Sequence, residues 1–116
     1  MFSSFLNVPS GSELVLVTAT ESEDLLINVS VIPSEGETVT YGTASLLNQS
    51  KKIDLAAGTS YGVRTTVNFG SDGASLALEA RIITPEGTVF GKPHRVNLKG
   101  NQRTYTLVIA ISVGSA

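Results

Sequence analysis

The chain of 116 residues has no cysteine, no tryptophan, one methionine and one histidine. Without cysteine there is no disulfide framework, no thiol nucleophile and no zinc–thiolate site. The lone histidine, His94, sits in "KPHR" among cations and has no G-x-S-x-G elbow to serve, so a Ser-His-Asp triad is not expected. Charge is also scarce. Asp, Glu, Lys and Arg make up 16% of residues, against about 25% in an ordinary soluble domain. The formal net charge of −2 gives no electrostatic footprint for nucleic acid or an anionic membrane. The longest uninterrupted apolar run, residues 107–111, is far below the ~20 residues of a membrane-spanning helix, so membrane insertion is not expected. The opening "MFSSFLNVPSG" lacks the basic region of a secretory signal. These absences favour a virion or another assembly produced in the cytoplasm.

What is present is alternation interrupted by turns. "ELVLVTAT" (13–20), "LLINVSVI" (25–32), "YGVRTTVNF" (61–69), "SLALEARIIT" (75–84) and "TYTLVIAISV" (104–113) carry apolar residues at every second position, the period of a half-buried strand. Shorter strands are expected at 38–44, 52–55, 88–91 and 94–98. "PSEGE" (33–37) and "PEG" (85–87) have turn chemistry, and "GSDG" (70–73) is expected to close a hairpin. Residues 45–52 read as a loop with room for one helical turn. The expectation is all-β: a single antiparallel β-sandwich domain over 1–116, jelly-roll or immunoglobulin-like, with about eight to nine short strands. Residues 1–10 form a possible N-terminal arm.

"VIPSEGETVTYG" (31–42) parallels "IITPEGTVFG" (82–91), and "VTATESEDLLINVSV" parallels "TVNFGSDGASLALEARI" upstream. "KIDLAAGTSY" (52–61) parallels "RVNLKGNQRTY" (95–105). A two-fold internal pseudo-repeat would put "ESED" (21–24) and "GSDG" at equivalent positions, at one end of the sandwich. Residues 75–113, with "TPEG", "VNLKG" and a final apolar strand, resemble an immunoglobulin-like accessory module. The resemblance implies architecture only, because the Cys-Trp-Cys core of true immunoglobulin domains is absent.

Two strands are apolar on both faces. Leu14 and Leu16 oppose Val15 and Val17; Leu107, Ile109 and Ile111 oppose Val108 and Ala110. An antiparallel sheet usually keeps one wet face, so something is expected to cover the second. The candidates are the N-terminal arm through Phe2, Phe5 and Leu6, the 45–50 loop through Leu46 and Leu47, and another subunit. Low charge and a mean hydropathy of +0.20 favour a partner. The expected function is therefore non-enzymatic: a structural or interaction protein that forms a homo-oligomer or joins a larger protein assembly. Its contact residues would be Phe2, Phe5, Leu6, Val15, Val17, Val108 and Ala110. The alternative is a lectin-like or carbohydrate-binding module. Glu21, Glu23, Asp24 and Asp72 would offer oxygens to calcium, and Tyr41 would be a stacking platform. No cofactor and no catalytic residue is expected.

Overall fold

The computed structural model describes residues 2–115, with side chains from Phe5 onward. Nine strands form among these residues. They are β1 (Phe2–Val8), β2 (Glu13–Ala19), β3 (Leu25–Pro33), β4 (Val39–Tyr41), β5 (Ser50–Asp54), β6 (Ser60–Phe69), β7 (Ser75–Ile83), β8 (His94–Lys99) and β9 (Thr104–Val113). The first sheet has the order β1-β9-β6-β3-β4 and the second β5-β2-β7-β8. The protein is all-β and sandwich-like, measuring 45 × 27 × 23 Å.

The alternation places the core where the sequence reading expects it. Ile27, Val29 and Val31 of β3 and Val63, Val67 and Phe69 of β6 meet Leu14 and Leu16 of β2 and Leu76, Leu78 and Ile82 of β7. Leu107, Ile111 and Val113 of β9 complete the first sheet's inner face. Phe69 meets Tyr105 edge-on at 5.9 Å, and the Tyr105 hydroxyl donates to the Lys99 carbonyl at 2.7 Å, so the half-buried ring packs on the core without stranding its polar tip.

Three expectations are corrected. "GSDG" does not close a hairpin: β6 and β7 lie in different sheets, and the chain crosses between layers there. Residues 88–91 form no strand. They fold back beside β7 through one isolated bridge, Ile83 to Val89, between Gly87 and Gly91 at φ +83° and +70°. The ninth strand is instead the N-terminal arm. β1 runs parallel to β9, with Phe5 opposite Ala110 and Val8 opposite Val113. A parallel neighbour joined across the whole chain leaves no local signature, whereas a hairpin does.

A helical turn does form, but earlier than the expected 45–52: α1 spans Thr43–Leu46, so the strand expected at 38–44 stops at Tyr41. Asn48 follows at φ +56°, the left-handed position that Asn tolerates after a helix. Leu46 is 1% exposed and plugs the side of the sandwich. Its carbonyl accepts from the buried Thr18 hydroxyl, which in turn accepts from the Asn48 N–H at 2.9 Å. The loop seals the core and covers neither outer face.

The turns "ESED" and "GSDG" do share one end of the molecule. Gly70 N–H donates to the Asp24 carbonyl at 2.7 Å and Ser75 N–H to Ser22 Oγ at 3.1 Å. The Asp24 carboxylate occupies the space that a Cβ at Gly70 would need.

A candidate interaction face

The outer faces of the two sheets differ in chemistry. The second sheet presents Glu13, Lys52, Asp54, Glu79, Arg81 and Arg95 at outward positions. Val15 of β2 stands between Lys52 and Arg81 in register and is only 9% exposed. Long charged side chains cover apolar neighbours with their stems. Glu79 joins Arg81 (Oε1 to Nη2, 2.7 Å) and Arg95 (Oε2 to Nε, 3.3 Å). The Oε1–Nη2 contact is close but not aligned as a hydrogen bond, and Glu79 Oε1 and Arg81 Nε are buried without hydrogen-bond partners. The second face of β2 is therefore covered largely from within its own sheet. Arg64 takes no part in this cluster, because it lies on the other sheet.

The outer face of the first sheet carries almost no charge. Arg64 is the one charged residue at its outward strand positions among the described residues, and the rest are Ser, Thr, Asn and apolar side chains. Strand pairing sets four of them in one row across the sheet: Phe5 opposite Ala110, Ala110 opposite Gly62, Gly62 opposite Ile32. Phe5 is 65% exposed and Ile32 38%. Strand spacing puts them about 14 Å apart. Two large side chains thus flank a floor of methyl and hydrogen. Val108, half-buried, lies beside this row opposite Arg64. Polar side-chain pairs edge the face: Ser30 Oγ to Thr40 Oγ1 at 3.2 Å, and Thr104 Oγ1, donating, to Asn68 Oδ1 at 2.9 Å.

Gly62 has no intramolecular reason to be glycine. Its φ is not in the left-handed region, and a Cβ there would meet nothing within 4 Å. Glycine inside a strand costs about 0.5–1 kcal/mol relative to alanine and marks a bend or a close approach by another molecule.

Of the expected contact residues, the structure gathers Phe5, Val108 and Ala110 on this face. Leu6 turns inward and packs against the core. Val15 and Val17 lie on the opposite sheet. Phe2 pairs with Leu107 through its backbone, and its side chain lies outside the described residues. Gly62 and Ile32 were not among the expected residues. Their outward positions are readable from alternation, but their alignment with Phe5 needs the register of three strand pairs.

The expected ligand residues are scattered over different contacts. Asp72 is engaged by Arg103 Nε at 3.0 Å. Lys51 Nζ lies 4.6 Å from the Tyr41 ring centre and covers one face of it. Glu21 borders a shallow open hollow with Thr20, Asn48, Ser75, Asn97 and Lys99. Glu23 and Asp24 line a second hollow beside Leu26 and Asn68. Among the described residues no three His, Cys, Asp or Glu side chains come together as a metal-binding group. No described helix is long and apolar enough to cross a membrane. No protein-family model, no curated protein and no solved structure matches the chain.

Proposed function

We propose that this is a non-enzymatic structural protein that works by protein–protein contact. It self-associates or seats on a larger assembly, of virion or surface-layer type, through the outer face of its first sheet. The observation that carries this reading is Gly62. A glycine that neither the backbone nor any neighbour requires stands at the floor of an uncharged trough between Phe5 and Ile32. The expected test is absolute mass by light scattering on a sizing column across a dilution series, for the wild type and for Val108→Lys. The wild type should form a multimer that Val108→Lys abolishes while its β-type circular dichroism is kept. A monomer at every concentration would remove the self-associating form of the proposal.

The two-fold repeat belongs to the same reading. Exchanging strands four apart (β2 with β6, β3 with β7, β4 with β8, β5 with β9) turns β5-β2-β7-β8 into β9-β6-β3-β4, which supports two similar halves packed face to face. This pairing matches β5 with β9, whereas the sequence parallel matched the β5 region with β8. Within the sandwich class the frequent crossings between sheets favour a Greek-key arrangement of the immunoglobulin-like or jelly-roll kind. A second reading, a ligand-binding module, draws on the open hollow beside Glu21. It requires thermal stabilisation by calcium or by a glycan.

A further inference from the structure

The two sheets end in four edge strands: β1, β4, β5 and β8. An edge presents a row of unpaired N–H and C=O groups, and proteins guard such edges with shortness, charge or proline. β4 spans only Val39–Tyr41. β5 carries Lys51, Lys52 and Asp54. β8 carries His94, Arg95 and Lys99 and follows Pro93. β1, "FSSFLNV", has seven residues, no charge and no proline, and no strand lies beyond it among the described residues. It is the one long edge left unguarded, and it also carries the highly exposed Phe5.

We infer that β1 pairs antiparallel with β1 of a second copy of this chain about a two-fold axis, so that the first sheets of two protomers become one continuous sheet. This deepens the proposed function by naming a partner and a contact, and it rests on that reading. Self-pairing fixes the register. The only antiparallel alignment that uses all seven residues places Phe5 opposite Phe5 of the second copy, with position 4 opposite 6, 3 opposite 7 and 2 opposite 8. Directly opposed residues share a face, so the two Phe5 rings would meet on the outer face, whose one charged strand residue is Arg64, and shield each other from water. Backbone pairing would supply affinity, as in other strand-addition interfaces. The two troughs would lie on the same side of the joined sheet and leave the pair able to engage a larger assembly.

The chain has no native cysteine, so introduced thiols report register cleanly. Directly opposed residues of an antiparallel pair have Cα atoms about 4.5 or 5.5 Å apart, inside the range a disulfide spans. Phe5→Cys should therefore form a covalent dimer under mild oxidation. Asn7→Cys should not, because the two thiols would be displaced by four residues, about 13 Å. The double variant Ser3→Cys/Asn7→Cys keeps the phenylalanine and should cross-link through positions 3 and 7. Light scattering of the unmodified protein accompanies these assays. Cross-linking of Phe5→Cys or of the double variant, at least tenfold faster than Asn7→Cys, supports the inference. A multimeric wild type in which neither variant cross-links faster than Asn7→Cys overturns edge pairing but leaves the trough-mediated function standing. A wild type that stays monomeric, again without selective cross-linking, overturns edge pairing and the self-associating form of the proposed function together.

Discussion

At the scale of single residues, most side chains can be assigned a task inside the protomer. Thr18 is buried and satisfied by Leu46 and Asn48. Arg103 holds a positive φ of 62° while its side chain grips Asp72 and donates to the Gly70 carbonyl at 2.6 Å. That grip ties the start of β9 to the β6–β7 crossing, which accounts for a strained backbone at a non-glycine residue. Gly62 has no such task, so a substitution there separates folding from contact. Gly62→Val adds a β-branched side chain to a mid-strand position with open space above it. It should stabilise the isolated fold by about 0.5–1 kcal/mol, read as a raised denaturant midpoint at unchanged slope. It should also fill the trough and weaken association at least tenfold by light scattering. Gains in both stability and association would show that nothing approaches the floor.

At the scale of elements, how far the sequence could be read depends on whether the governing interaction is local. The inward stripes of β3, β6, β7 and β9 follow from period-two alternation and hold residue by residue. A helical turn is short-range too, and one was expected within 45–52, but it forms at Thr43–Leu46 and cuts short the strand expected through residue 44. The layer to which each strand belongs is not local. A tight turn such as "GSDG" serves equally to reverse a chain within a sheet or to step between sheets, and only the packed core decides. The same limit applies to the two-sided strands. Val15 and Val108 look alike in sequence, yet one is 9% exposed between two charged neighbours and the other is half-buried with Arg64 as the one charged residue on its face. Lysine substitution should tell them apart. Val15→Lys should destabilise the fold by about 2 kcal/mol, because a buried valine is lost and the new cation must thread between Lys52 and Arg81. Val108→Lys should leave the melting temperature within a few degrees of the wild type and act on mass alone. Equal destabilisation by both would mean that the two faces are equally closed.

At the scale of the whole molecule, only β3 with β4 and β7 with β8 pair as chain neighbours; every other ladder joins distant segments, and β1 closes on β9 across the full chain. Loop closure must precede the gain from such contacts, so folding is expected on the millisecond-to-second scale typical of β-sandwiches. Slow folding exposes edges and apolar strands while the sheets assemble. Charge and shortness protect β4, β5 and β8 during that interval, and nothing comparable protects β1. The feature that suits β1 to joining a second copy is then also the feature that endangers refolding. Phe5→Lys places a gatekeeper charge on that edge. Stopped-flow refolding of this variant should keep the wild-type rate, since an exposed side chain at the sheet margin contributes little to the folding nucleus. The yield of soluble protein after dilution from denaturant should fall with protein concentration in the wild type and much less in Phe5→Lys. Equal losses in the two proteins would place the aggregation-prone surface elsewhere, on the two-sided strands β2 and β9 before the sheets close over them.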